Sequence, residues 1–423
     1  MNQRLFDYIA ASPTAYHAVA HTAAILRAKG YTELCEASAW ELTPGGCYFV
    51  TRNGSSLIAF RMPEGDFSGF MMTAAHGDSP CFKIKENGTL ADPHYVRLST
   101  EKYGGMLFAP WMDRPLSVAG RVTVRTENGL AVKTVDLAKP VAIIPNVAIH
   151  MNRAANDGMK YNPAVDMLPL VSTDKDTSLM AQVAEAAGAD PLDIVTTDLF
   201  VYNPDKGVEW NDLISAPRLD DLQCAFASLI AFTEADKADN LPVYCLFDNE
   251  EVGSETKQGA ASTFLFDVLT RIVPDPLTYR RKIASGFLVS CDNAHAVHPN
   301  HPEYSDKNHS VYMNGGVVIK YNANQRYTTD AVSSGIFRLI CEKANVPVQE
   351  YANRADMPGG STLGNIANTQ VSLNTVDIGL AQLAMHSAFE TAGARDTAHM
   401  TNALKQFFET SLTMENNGNY NLK

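Results

Sequence analysis

Cysteine is sparse and unorganised in this chain of 423 residues. The seven cysteines, at 35, 47, 81, 224, 245, 291 and 341, are odd in number and never fall in C-x-x-C spacing. That argues against both a disulfide framework and a thiolate zinc site. Cys245 and Cys291 sit inside apolar runs and read as small buried hydrophobes. No stretch of 18 or more apolar residues occurs, so no membrane-spanning helix is expected. Asn, Gln, Arg and Asp within the first ten residues make a secretory leader unexpected, and the expected location is cytoplasmic. Positive charge is in deficit, with 34 Lys and Arg against 47 Asp and Glu, a formal net charge of -13. Such a field repels nucleic acid and anionic membrane, and no basic run or stacking-aromatic cluster opposes it, so neither partner is expected. No internal repeat or low-complexity segment is present. With 45% hydrophobic residues, the chain can fill a large core and two domains.

The most informative stretch is 243–254, Val-Tyr-Cys-Leu-Phe-Asp-Asn-Glu-Glu-Val-Gly-Ser. Its apolar, β-forming start predicts a buried strand, and the strand stops on Asp248, Asn249, Glu250 and Glu251. Adjacent carboxylates at the carboxyl end of a core strand repel each other unless a cation or a shared proton compensates. Four other segments bring further candidate ligands to loop positions. The run 69–75 leads into His76-Gly77-Asp78, 286–291 leads into Asp292, and 370–379 precedes His386. Asp220 and Asp221 stand just before an amphipathic helix carrying Leu222, Phe226, Leu229 and Ile230. Two histidines and several carboxylates, each where a doubly wound sheet gathers its loops, form a donor set suited to a pair of divalent cations.

The fold class expected is α/β: a doubly wound mixed-sheet peptidase domain, discontinuous over 1–88 and 212–423, with an inserted, mainly β assembly domain at 89–211. Helices are predicted over 1–30 with a break at Ser12-Pro13 and a stop at Gly30, and over 179–187, 221–234, 331–344 and 396–412. Strands are predicted over 55–62 and 69–75, and in the insertion over 120–126, 131–136 and 141–145. Residues 416–423 read as a frayed tail.

Charge counting assigns roles. Two divalent cations bring four positive charges and Asp220, Glu251 and Asp292 remove three, while His76 and His386 stay neutral. The residual positive charge favours hydroxide between the metals as the nucleophile. Glu250 is then the carboxylate left over, placed to act as general base and later as general acid. Asp78 is placed to hold the second nitrogen of His76, the alternative being a turn-forming Asp after Gly77.

These residues belong to a wider pattern. Ser12-Pro13-Thr14 with His17, His76-Gly77-Asp78-Ser79-Pro80, Tyr103-Gly104-Gly105, Trp111-Met112-Asp113-Arg114-Pro115-Leu116 and Ile149-His150-Met151-Asn152-Arg153 occur in order. Pro217-Arg218-Leu219-Asp220-Asp221, the acidic stretch from Asp248, His295-Ala296-Val297-His298, Asp356-Met357-Pro358-Gly359-Gly360-Ser361-Thr362 and Leu383-Ala384-Met385-His386-Ser387 follow. Over nearly its whole length the chain resembles the aspartyl aminopeptidases, dinuclear metallopeptidases that remove N-terminal acidic residues. The resemblance implies that His76 and Asp292 serve one metal, Glu251 and His386 the other, and that Asp220 bridges them. It implies zinc first, with manganese or cobalt as alternatives, and Glu250 as the acid/base. It further implies a homododecameric shell built by the inserted domain, with His150 reaching a neighbouring subunit's site, and peptides as substrates. Asp221 departs from the Asn of many relatives without touching the ligand set.

Some residues keep two readings. Tyr327 is either a core tyrosine or part of the substrate pocket, and Lys320 is either a solvated strand-end lysine or the cation that accepts an acidic substrate side chain. His295, in a stretch shared with His298, His301 and His309, is assigned to the pocket rather than to a metal. Gly360 would let backbone approach a peptide main chain. The competing functions are a carboxypeptidase or deacylase of the same fold, and an inactive shell-forming protein.

Overall fold

The computed structural model describes every residue except Asn417. Two sheets carry the architecture. At the centre of the larger, 13-stranded sheet, four parallel strands lie in the order Leu241–Phe247, Phe70–His76, Phe287–Cys291 and Asn374–Leu383. Antiparallel strands flank them on both sides, Ser56–Arg61 against Leu241–Phe247 and Glu390–Gly393 against Asn374–Leu383. The mixed α/β class is therefore as the sequence predicts.

Alternation along these strands explains the layering. In Phe70–His76, Met71 and Ala75 face one core, with helices Asn2–Ala10, Ala15–Ala28, Leu219–Glu234 and Asp396–Glu409. Phe70, Met72 and Ala74 face the other, with Phe264–Ile272 and Leu363–Ala367. Successive strand side chains point to opposite faces, so a strand buried on both must be apolar throughout. Cys245 and Cys291 are fully buried in these cores, as expected. All seven cysteines are free thiols. No helix among the described residues is long and apolar enough to cross a membrane.

The second sheet is six-stranded and antiparallel, in the order Gly129–Asp136, Ser117–Thr126, Ile194–Tyr202, Cys81–Ala91, Val96–Tyr103, Leu170–Ser172. Helix Leu179–Ala187 packs on it through Leu179 and Val183, and Trp111 is buried in the same core. This sheet starts at Cys81, eight residues before the expected boundary, and Val208–Trp210, placed in the insertion by sequence, pairs within the large sheet. Residues 141–145 form isolated bridges instead of a strand, because Ala142 and Ile144 pair with the 112–116 loop while Ile143 between them pairs with Leu170. The tail is not frayed. Asn419–Leu422 pairs antiparallel with Leu412–Asn416, and Tyr420 and Leu422 pack on the main core. The last helix accordingly stops at Glu409, short of the predicted 412.

Asp198, on the six-stranded sheet, also reaches helix Ala15–Ala28, which packs on the larger sheet. Its carboxylate accepts from Lys83 Nζ at 2.8 Å, Arg121 Nε at 2.9 Å and Tyr16 Oη at 3.3 Å. Arg121 also donates to the carbonyl of Asn53 and stacks over the Tyr16 ring. Partial burial works against ionisation of Asp198, yet the hydrogen bonds from Lys83 and Arg121 prevail and hold its carboxyl below the usual range. A depressed carboxyl stabilises the fold above its unfolded pKa, and that contribution is lost as pH falls through the folded value. Asp198→Asn should therefore cost about 1–2 kcal/mol near neutral pH, the lower part of the usual span because the group is partly solvated. Urea unfolding of both proteins at pH 7 and at progressively lower pH checks this. The difference should shrink on acidification, and a difference independent of pH would contradict it.

Candidate active site

Every proposed ligand lies at the carboxyl end of a central strand or beside it, where open α/β sheets bind their ligands. The pairing of His76 with Phe247 sets the turn carrying Glu250 and Glu251 next to His76. The pairing of Cys291 with Ile378 sets Asp292 beside the strand that leads to His386. Asp220 enters at the non-helical start of Leu219–Glu234, after Arg218 in left-handed backbone.

These residues converge. Donor atoms of His76, Asp220 and Asp292 lie within 4.8 Å of one another, as do those of Asp220, Glu251 and His386. Asp220 belongs to both groups: its Oδ1 is 3.5 Å from His76 Nε2 and its Oδ2 is 3.4 Å from His386 Nε2, while Glu251 Oε2 is also 3.4 Å from His386 Nε2. Two donors of one tetrahedral zinc, each about 2.0–2.2 Å from it, stand roughly 3.3–3.5 Å apart. The spacing thus suits atoms that face one another across cations. Asp220 Oδ1 and Glu251 Oε1 are moreover buried without a hydrogen-bond partner, although such oxygens normally have one. The donor set fits divalent metal. Glu250 forms a third group with His76 and Glu251, so proximity alone leaves it both a ligand and a base reading.

The electrostatics express the same crowding. Burial pushes Glu250 up to about 8, with Asp292, Asp78 and Asp220 adding to the rise against His76. Burial and then Asp220 raise Glu251 well above the carboxylate range. Burial also raises Asp292, with Lys320 opposing. Asp220 behaves oppositely, because the two imidazoles facing it outweigh its burial and hold it low. Cations placed among these groups would favour all their ionised forms.

His76 Nδ1 lies 3.0 Å from the Asp78 carbonyl and 3.3 Å from the Asp78 carboxylate. A carbonyl only accepts, so Nδ1 carries the proton, and Nε2 is the nitrogen turned toward Asp220 and left to serve a metal. The Asp78 carboxylate does more than the sequence suggested. It accepts from the backbone N–H of Glu250 and of Glu251, each at 3.2 Å, and from Tyr103 Oη at 2.7 Å. It orients the acidic turn as well as the imidazole.

A cavity opens on this cluster. His76, Asp220, Glu250, Asp292 and His386 line it together with His295, Lys320, Tyr327 and Gly360. Lys320 is not a solvated strand-end lysine: it is 3% exposed, donates to the Asn293 carbonyl at 2.8 Å, and lies 3.5 Å from Asp292 Oδ1. Tyr327 is buried with Lys320 Nζ 5.4 Å from its ring centroid. A Cβ on Gly360 would meet nothing within 4 Å, so its main chain is open to the cavity. His150 is elsewhere, exposed on a turn between strands Gly129–Asp136 and Leu170–Ser172 and outside this cavity. Sequence reasoning missed Asp377 and Glu390. Asp377 accepts from Thr328 N at 2.6 Å and from the hydroxyls of Thr328 and Thr362 at 2.7 Å, tying two walls of the cavity together. Its signal was a lone acid inside the apolar strand Asn374–Leu383.

A mixed sheet whose strand ends gather imidazoles and carboxylates of this spacing on one cavity defines a metallohydrolase. The model of the aminopeptidase I zinc metalloproteases matches residues 8–408, and the chain belongs to this M18 family of metallo-aminopeptidases. It is 43% identical over 423 residues to the probable M18 family aminopeptidase 2 of Pseudomonas aeruginosa, covering 97% of this chain and 98% of that one. The corresponding protein of Clostridium novyi is 42% identical, with coverages of 96% and 97%. Among solved structures, the fold is similar to that in the cryo-EM structure of the Ape4 and Nbr1 complex, with TM-score 0.93, 33% identity, and 96% and 85% of the two chains covered. It is also similar to the S. cerevisiae mApe1 dodecamer, with TM-score 0.85, 27% identity, and 96% and 95% covered.

Proposed function

We propose that this protein removes N-terminal Asp or Glu from peptides, using two divalent metals per subunit, zinc first and manganese or cobalt as alternatives. His76 and Asp292 would hold one metal, Glu251 and His386 the other, and Asp220 both. Bound there, the metals would acidify a water and polarise the scissile carbonyl. Glu250, lining the same cavity, would take a proton from the attacking water and hand it to the leaving amine. Asp78 keeps Glu250 in place through the backbone N–H it accepts from. A reducing cytoplasm agrees with seven free cysteines.

The observation that carries the acidic preference is Lys320, a buried cation in the wall of the cavity that holds the metal cluster. The chain's net charge of -13 opposes an incoming acidic residue, so a local cation must supply the selectivity. A desolvated pair between this ammonium and the substrate carboxylate contributes a few kcal/mol. His295, Tyr327 and Gly360 complete the pocket around it. Lys320→Met should lower kcat/KM for peptides beginning with Asp or Glu by about 10²-fold or more, and far less for those beginning with Ala or Leu. A panel of peptides differing only in the first residue reads this out. Equal losses across the panel would make Lys320 structural, and cleavage from the C-terminus would favour the carboxypeptidase reading.

We further propose assembly into a homododecamer in which His150 serves a neighbouring site. Val147, Ile149, Met151 and Val165 are exposed on the same segment of the inserted domain, an apolar surface suited to subunit contact. Mixing His150→Ala subunits with Glu250→Gln subunits, both inactive, should restore activity after subunit exchange. Exchange without recovery would show that each site is complete within its own chain.

A further inference from the structure

We infer that Glu390 is a positioning residue that sets the distance between Asp220 and His386 by holding the main chain of both. The two residues come from segments more than 160 positions apart, and no direct backbone bond joins their turns among the described residues. Glu390 supplies the connection. One carboxylate oxygen accepts from the Asp220 N–H at 3.0 Å, and the other accepts from the His386 N–H at 2.8 Å.

Three features of the surroundings make this a positioning role instead of ordinary packing. First, Glu390 is 2% exposed, and among the described residues no Lys, Arg or His nitrogen lies within ion-pair distance of it. A carboxylate so placed is costly unless N–H groups compensate it, and the compensation here goes to two candidate ligands. Second, both held segments have backbone that L-residues rarely adopt. His386 has φ 65°, Ala384 φ 56°, and Arg218, two residues before Asp220, φ 58°. Left-handed conformations at such residues persist where neighbouring structure over-determines them, and the bond from His386 N–H to Glu390 does so. Third, the bond set continues toward the substrate pocket. Gln382 Nε2 donates to Glu390 at 3.4 Å, Asn293 Nδ2 donates to Gln382 Oε1 at 2.7 Å, and the Asn293 carbonyl accepts from Lys320. Strand Glu390–Gly393 is rigidly seated for this task, with Glu390 opposite Ala216 in the sheet.

Glu390 is not itself a candidate ligand, so its effect on metal is transmitted through Asp220 and His386. Without it, the 384–387 turn is free to relax from its left-handed backbone. The His386 imidazole then leaves its place 3.4 Å from Asp220 and Glu251.

The inference rests on reading Asp220 and His386 as ligands, and the test separates the two. Metal-free protein is titrated with Co²⁺ alone against a chelator of known affinity, recording the visible spectrum and, separately, the Tm of the metal-free form. Glu390→Gln keeps size and shape but turns one acceptor oxygen into an N–H₂ facing a backbone N–H. It should weaken Co²⁺ binding about 10- to 100-fold, the usual cost of losing a residue that orients a ligand, and shift the Co²⁺ bands. Glu390→Asp, whose shorter side chain reaches one N–H, should lie between Gln and wild type. His386→Ala is the reference. If it binds Co²⁺ like the wild type, the ligand reading fails and the inference with it. If it loses Co²⁺ while both Glu390 variants keep wild-type affinity and spectrum, the inference alone is overturned, even where their metal-free Tm falls. Should Glu390→Gln not fold, Glu390→Asp decides: affinity within twofold of wild type overturns the inference.

Discussion

Glu250→Gln should retain its metals and its fold while turnover falls by about 10² to 10⁴, the range for a lost general base. The expectation follows from where the carboxylate stands. Glu250 is half-buried at the end of the same turn as Glu251, its N–H is held by Asp78, and it lines the cavity beside His76, Asp220 and Asp292. The amide variant keeps the volume and the hydrogen bond to the main chain but cannot take a proton near neutral pH. Because Glu250 also lies within ligand distance of His76 and Glu251, metal content must be measured beside kcat. Loss of a metal, or unchanged turnover, would show that the neighbouring glutamates have exchanged roles. Glu251→Gln should do the opposite and weaken metal binding, since Glu251 faces His386 at 3.4 Å.

Asp220→Asn should have the larger effect, because each of its oxygens faces a different imidazole. An amide offers one acceptor oxygen and places an N–H₂ where the second was, so it cannot serve both groups. Metal content should fall at both positions, and turnover should drop further than in Glu250→Gln. A readout free of activity is available. Ligand that binds only the folded state stabilises it by RT ln(1 + [L]/Kd), about 2.7 kcal/mol at a hundredfold excess over Kd. Adding Zn²⁺ to the metal-free wild type should raise its Tm accordingly, and Asp220→Asn should gain little. A variant stabilised as strongly as the wild type would remove Asp220 from the ligand set.

Much of this site was legible because its signals are local. An apolar run that stops on Asp248, Glu250 and Glu251 announces a core strand and a carboxylate cluster at once, since both follow from residues adjacent in sequence. The same holds for His76, the last residue of Phe70–His76, and Asp292 after Phe287–Cys291. The strand predicted at 141–145 and the frayed tail failed for the complementary reason. Ala142, Ile143 and Ile144 carry β-forming character but divide their single bridges between the 112–116 loop and Leu170, and Leu412, Met414, Tyr420 and Leu422 find a partner only once the hairpin has turned.

The sequence alone therefore determined the class of fold, the residue types of the site and their placement at strand ends, because hydrophobic periodicity and charge are properties of short segments. Only the tertiary structure decided that Asp220 faces both imidazoles and that Asp78 holds the turn of Glu250 and Glu251. It alone buried Lys320 in the cavity wall and gave Glu390 the N–H groups of two separate segments. Most of those relations join residues far apart in the chain, such as Asp78 with Glu250, 172 positions apart, and Glu390 with Asp220, 170 apart. Strand pairing and helix packing create such contacts, and no local pattern encodes them.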